Sequence, residues 1–147
     1  MSALRGVGWL TGAALTAALA TGSCRTATAC APPAAPVVLG SWDYAATQTS
    51  PTSASLSGVL QITSQCGHDF GGTLTGTQTD ASGSHPFTGV VSGSAVDTLV
   101  DFDAYLDPTP RRHVGKVRSD SMRGTWVEPT DAGTLSGSFT SAWTSTP

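Results

Sequence analysis

Residues 37–44 read VVLGSWDY, a short run rich in β-branched and aromatic residues that follows a proline-rich segment. From this run to Trp143, apolar residues alternate with small polar ones in short stretches that Gly, Ser, Asp or Pro separates. A two-residue period is typical of a half-buried β-strand, whereas an amphipathic helix repeats about every 3.6 residues. The pattern therefore predicts an all-β domain over residues 37–147.

The alternation predicts eight strands joined by short connections. Their expected positions are about 37–47, 56–64, 69–78, 85–92, 96–106, 111–118, 121–128 and 134–143. Neighbours in sequence would pair antiparallel, and closure of the sheet would remove both exposed edges. On one face glycine alternates with bulky residues, which suits the crowded interior of a small barrel. We therefore expect an eight-stranded antiparallel up-and-down barrel, with an open β-sandwich of the same strands as the alternative.

The composition limits the classes of partner. The chain has 147 residues, enough for one ordinary domain, and a formal net charge of -3. A negative net charge gives no general attraction to nucleic acid, so no nucleic-acid partner is expected. Only 12% of the residues are charged, and abundant Thr and Ser take their place. That balance suits exposed strand faces better than helix surfaces.

The N-terminus resembles a bacterial export signal. Arg5 precedes an apolar, alanine-rich run at 7–20, which is too short for a good membrane-spanning helix. Cys24 follows residues 1–23 directly, as in bacterial lipoprotein signals, where the cysteine becomes lipidated. The resemblance implies an exported envelope protein anchored to a membrane through Cys24, with residues 24–36 as a Pro/Ala-rich tether. The alternative is ordinary cleavage nearby and a secreted or periplasmic protein.

The cysteines fit this compartment. If Cys24 carries lipid, Cys30 and Cys66 remain as a pair, and a disulfide between them persists in an oxidising environment. No Cys-x-x-Cys or Cys/His spacing indicates a metal site. In an up-and-down barrel both cysteines fall at the end where the first strand begins, here called the bottom. The longer loops then lie at the opposite end, the top, where we expect any binding mouth.

Short motifs resemble those of the calycin barrels, meaning lipocalins and avidins. Gly40-Ser41-Trp42 is similar to the Gly-x-Trp that opens these barrels, and Gly124-Thr125-Trp126 and Gly137-Ser138-Phe139 are similar to their later strands. The resemblance spans roughly residues 39–143 and implies an up-and-down barrel with a ligand mouth at one end. It carries over no biotin site, and no arginine follows Trp143 where lipocalins place one.

The inward aromatic residues are the candidate binding residues. They either fill the core or form the walls of a small pocket for an apolar or amphipathic ligand, and they are Trp42, Phe87, Phe102, Trp126 and Phe139. Non-enzymatic binding of such a ligand is the leading functional hypothesis. The alternative is a filled barrel that binds protein, as an inhibitor or envelope component, through the loops at 79–84, 107–111 and 128–133.

A cluster of charges surrounds the predicted turn between the fifth and sixth strands. Five of the seven Lys and Arg residues lie within 111–123, and several aspartates precede them. Folding the hairpin about its prolines places Asp101 opposite Lys116 and Leu99 near Arg118. The pattern predicts cross-strand ion pairs on the outer face, and a basic patch that binds a partner is the alternative.

No catalytic motif is present. There is no Gly-x-Ser-x-Gly elbow, and Glu128, the only glutamate, is expected near Asp131 in a solvated top loop. The histidines, His68, His85 and His113, fall at separate places on the predicted barrel and cannot share one metal ion. The sequence therefore predicts no enzyme activity, no cofactor and no metal.

Overall fold

The structure is a computed structural model that describes residues 29–106 and 109–146. The predicted export signal, Cys24 and the first residues of the predicted tether lie outside this part of the chain. Within the described residues, no helix has the length and apolar character needed to cross a bilayer.

The described residues form a closed antiparallel barrel. Its strands are β1 (Gly40–Ser50), β2 (Ala54–Cys66), β3 (Asp69–Asp80), β4 (Gly83–Val96), β5 (Leu99–Tyr105), β6 (Pro110–Arg118), β7 (Ser121–Thr130) and β8 (Gly133–Ser145). Each strand pairs with the next, and β8 closes the sheet by pairing with β1. The predicted eight-stranded up-and-down barrel is confirmed, and the sandwich is excluded. Odd strands run from bottom to top.

Two-residue turns connect the strands of five hairpins, and four of these have a residue with positive φ in or beside the turn. At the top, Asp80 pairs with Gly83 and Thr130 with Gly133, and both glycines have a φ of 130°. L-residues rarely adopt that conformation, so glycine is required there. At the bottom, Gly67 and Asp97 take φ values of 60° and 55° in the turns after β2 and β4. Left-handed residues at these positions match the twist of the strands that they connect.

The barrel interior is a packed core. Its largest fully buried side chains are Trp42, Trp126, Tyr44, Phe102, Phe139, Leu60, Ile62, Leu74, Met122, His113, Val38 and Val91. The inward glycines leave no room beside them. A Cβ on Gly58, Gly115 or Gly124 would lie closer than 3.0 Å to the backbone of the neighbouring strand. These glycines therefore allow the strands to curve sharply, and they do not provide ligand space.

Residues 29–39 close the bottom of the barrel, and we call them the basal plug. The buried side chain of Gln65 holds the plug, because its Nε2 donates to the carbonyl oxygens of Ala34 (2.9 Å) and Pro36 (3.1 Å) and its Oε1 accepts from the Val38 amide (2.9 Å). The predicted disulfide is also present, with a Cα–Cα distance of 5.2 Å between Cys30 and Cys66. The bottom of the barrel is therefore sealed.

Candidate functional site

A buried ion pair lies inside the top half of the barrel. Arg111 on β6 and Glu128 on β7 both point inward, and the Glu128 Oε2 accepts from the Arg111 Nη2 at 2.7 Å and from its Nε at 2.8 Å. Only 5% and 12% of the two side chains is exposed. The expectation of Glu128 in a solvated loop is wrong, because β7 continues past this residue to Thr130. A charged pair in this position needs an explanation, since such pairs seldom add net stability.

Trp126 packs against the ion pair. The guanidinium carbon of Arg111 lies 4.2 Å from the centroid of the Trp126 ring, within the range of a cation–π interaction. The ring also covers Gly137 on β8, where an added Cβ would lie 2.9 Å from Trp126 Cε2. Only 1% of Trp126 is exposed. The indole therefore forms one wall beside a buried, compensated cation.

Tyr44 and His113 are two further polar residues of this interior, and they lie closer to the middle of the barrel. The Nδ1 of His113 lies 3.0 Å from the Arg111 carbonyl oxygen, which can only accept, so Nδ1 carries the proton. The Nε2 then accepts from the Tyr44 hydroxyl at 2.9 Å. Burial lowers the pKa of His113 to about 3 and raises the pKa of Tyr44. Both groups are therefore neutral near pH 7.

Three buried polar atoms in the top half have no hydrogen-bond partner among the described residues. They are the Nη1 of Arg111, the Nε1 of Trp126 and the Oε1 of Gln48. A fourth, the Ser141 hydroxyl, lies lower in the barrel. Each unpaired buried group costs about 1–3 kcal/mol, and native proteins contain few of them. A bound molecule that completes these hydrogen bonds would remove that cost.

A depression at the top rim reaches Glu128, one member of the ion pair. Its volume is about 320 Å³, and its lining residues are Thr109, Glu128, Thr130, Asp131 and Ala132. This volume falls at the small end of the range for ligand pockets, which is about 300–1,000 Å³. Three further depressions lie on the outer wall of the strands, where their linings include exposed residues such as Lys116, Thr47 and Asp43. The rim depression is thus the one among these four whose lining includes a member of the ion pair.

The five predicted binding aromatics all point inward but do not form one pocket. Trp42 lies inside the barrel against the basal plug, and its Nε1 donates to the Val38 carbonyl oxygen at 2.9 Å. Phe102 and Phe139 pack around His113, with ring centroids 4.3 and 5.1 Å from the imidazole. The remaining two lie higher, with Trp126 beside Arg111 and a half-buried Phe87 against the core. Their role in ligand binding stays a prediction.

The sequence reasoning did not identify the polar members of this site. Arg111 and His113 share their inward parity with Val117 on β6, and Glu128 shares that of Trp126 and Met122 on β7. The two-residue period therefore contained the signal. Charged residues are rarely buried in proteins, so residue type alone indicated solvent exposure for Arg111 and Glu128.

The outer wall carries a cross-strand ion pair, as predicted, but the register of the hairpin between β5 and β6 differs from the predicted one. Asp101 lies opposite Val114, and Leu99 lies opposite Lys116, so the predicted pairing is wrong by two residues. Asp101 instead accepts two hydrogen bonds from exposed Arg112, at 2.7 and 3.2 Å. The three histidines lie apart, and the described residues contain no group of three or more potential metal ligands.

Fold and site together define a small closed β-barrel with a polar cluster near its top end. No protein-family model matches the chain, and no curated protein matches it. Several solved structures match the chain. The chain is similar to EF1p2_mFAP2b bound to DFHBI (11% identity, TM-score 0.63, 72% of this chain and 93% of that one). It is also similar to the redesigned β-barrel mFAP1 bound to DFHBI (15%, 0.56, 71% and 93%).

A third similar structure is a fluorescence-activating β-barrel designed de novo (15% identity, TM-score 0.52, 72% of this chain and 93% of that one). At these identities the likeness shows the fold alone. That fold is a small eight-stranded antiparallel barrel, and it agrees with the calycin-like resemblance of the sequence.

Proposed function

We propose that this protein is a non-enzymatic barrel that binds a small amphipathic ligand at its top end. One observation carries the proposal. The pair of Arg111 and Glu128 is buried in an otherwise largely apolar interior, with a guanidinium nitrogen unpaired among the described residues, and Glu128 also lines the rim depression. A few polar groups set among apolar walls are the usual composition of a small-molecule site.

The geometry of the two ends supports this position. The basal plug and the disulfide seal the bottom, and the inward glycines offer no space of their own. The apolar residues that flank the top of the core, Leu106, Leu135 and Phe87, are only partly buried. Two similar designed barrels are bound to DFHBI, so a barrel of this size accommodates a small molecule.

Native mass spectrometry of the protein purified from its own host tests this function. We expect a bound adduct in the wild type, loss of the adduct in Trp126→Leu, and retention of it in Trp143→Leu. Trp143 is a suitable control, because it lies at the bottom end and is 41% exposed. A clean mass that does not change after incubation with a lipid and metabolite extract would contradict the proposal.

We also propose that the protein is exported and anchored through a lipid on Cys24 after removal of residues 1–23. The disulfide between Cys30 and Cys66 supports export, since such bonds persist in oxidising compartments. The top end would then point away from the membrane. Mass spectrometry of the mature N-terminus should find an acylated Cys24, and Cys24→Ala should release the protein from membranes. A mature chain without acyl groups would instead indicate a secreted or periplasmic protein.

The packed core supports a second candidate function, in which a filled barrel binds a protein. Phe102, His113 and Phe139 pack in direct contact and leave no open channel among themselves. The described top turns at 81–82 and 131–132 are short and carry no large apolar side chain, which favours this function less. Capture of a partner that depends on the loops at 79–84, 107–111 or 128–133, together with a clean mass, would support it.

A further inference from the structure

The charge on Arg111 is already compensated, and this limits which ligand the site accepts. Glu128 takes hydrogen bonds from the Nε and Nη2 of Arg111, and the carboxylate also accepts from the Thr109 hydroxyl at 3.4 Å. The neighbouring Tyr44 and His113 are neutral near pH 7 and add no charge. The buried part of the site therefore has no net charge.

Among the described residues, the unpaired atoms around this neutral pair are two donors and one acceptor. The donors are the Nη1 of Arg111 and the Nε1 of Trp126, and the acceptor is the Oε1 of Gln48. Gln48 uses its Nε2 on the carbonyl oxygen of Thr52 at 3.0 Å, so only its oxygen remains. Gln48 and Trp126 occupy one cross-strand row, on either side of Gly137. The unpaired groups thus face the same top half of the interior.

We infer that the ligand of this barrel carries a neutral head group that both accepts and donates hydrogen bonds, of which a carboxamide is the simplest example. The inference rests on the function proposed above. The carbonyl oxygen of such a group accepts from Arg111 Nη1 or Trp126 Nε1, and its N–H donates to Gln48 Oε1. A carboxylate would meet the Glu128 charge, and an ammonium would meet the Arg111 charge. Both would lose their hydration without a free counter-charge.

Three probes with one scaffold test the inference on the full-length protein. They are 2-naphthamide, 2-naphthoate and 2-naphthylmethylamine, and their affinities are measured by calorimetry at pH 7. We expect the amide to bind at least tenfold more tightly than the other two. A carboxylate or amine that binds as tightly as the amide overturns the inference and leaves the proposed function standing. No binding by any probe also overturns it, and the native mass spectra decide separately whether the barrel has a ligand.

A charge variant with a matched control makes the test sharper. Glu128→Gln removes the compensating charge, so naphthoate should gain affinity and overtake the amide. Asp101→Asn removes the carboxylate of the exposed pair with Arg112 on the outer wall, so the order of the probes should stay unchanged. An unchanged order in a folded Glu128→Gln protein overturns the inference. If this variant does not fold, as judged by circular dichroism, the wild-type ranking is decisive.

Discussion

His113 is fully buried, and its pKa of about 3 has a definite consequence for stability at acid pH. In the unfolded chain the imidazole binds a proton near pH 6.5. Between pH 6.5 and about 3 the unfolded state therefore holds a proton that the folded state lacks. Above pH 6.5 His113 makes its full contribution to the free energy of unfolding. Below that pH the contribution decreases by up to about 1.4 kcal/mol per pH unit.

Urea unfolding at pH 7, 6, 5 and 4 measures this dependence. Carboxylates contribute to the same slope, so the informative quantity is the difference between the wild type and His113→Gln. We expect the variant to have a flatter profile between pH 6 and 4, whatever its stability at pH 7. Thr125→Ala, an exposed change on the outer wall that alters no titratable group, should keep the wild-type slope. Equal slopes for His113→Gln and the wild type would show that His113 is not the buried neutral group described here.

The two ion pairs of Glu128 and Asp101 should differ in their effect on stability. Glu128→Gln leaves the buried Arg111 cation without its counter-charge, and removal of one partner of a buried pair costs about 3–5 kcal/mol. Asp101→Asn breaks an exposed pair, which is worth about 1 kcal/mol or less. Chemical denaturation at pH 7 measures both values. Similar small losses would mean that water reaches Arg111 in solution.

The strands and most turns were predictable, because their signals are local. The turn expected between 92 and 96 lies at 97–98 instead, since β4 continues to Val96. Alternation and turn residues indicated eight strands in the observed order, and antiparallel neighbours brought Cys30 and Cys66 to one end. The register of the hairpin between β5 and β6 was not predictable in this way. A shift of two residues keeps every side chain on its own face, so the period alone cannot distinguish Val114 from Lys116 as the partner of Asp101.

Inward glycines shape the wall where β6 meets β7. Gly115 and Gly124 lie directly opposite each other, and a Cβ on Gly124 would meet the Val114 carbonyl oxygen and the Gly115 Cα. Gly124→Ala should therefore destabilise the barrel by about 1–3 kcal/mol or more, because backbone atoms cannot move aside as side chains can. Thr125→Ala, its outward neighbour, should change the free energy of unfolding by less than about 0.5 kcal/mol. Equal effects would contradict the close approach of the two strands.

The basal plug depends on its disulfide. The bond joins residues 36 apart in sequence, and closure of a loop of that length stabilises the folded state by about 2–4 kcal/mol. Cys30→Ser with Cys66→Ser should lower the free energy of unfolding by that amount. Hydrogen exchange should then increase first in residues 29–39, while the amides of β6 and β7 stay protected. Uniform exchange across the barrel would show that the plug and the strands unfold together.

At the scale of the whole molecule, the sealed bottom and the rim depression at the top predict a single route for the ligand. The plug covers Trp42 at the bottom through Val38, whereas the rim depression beside Ala132 reaches Glu128 at the top. A bulky maleimide attached at Ala132→Cys should therefore weaken binding of 2-naphthamide at least tenfold. The same label at Thr98→Cys, in an exposed bottom turn, should leave binding unchanged. If the label at residue 98 blocks binding and the label at 132 does not, the ligand enters from the bottom and the plug must open. Because both labels are exposed and lie on short turns, the comparison separates the route of entry from any general effect of labelling.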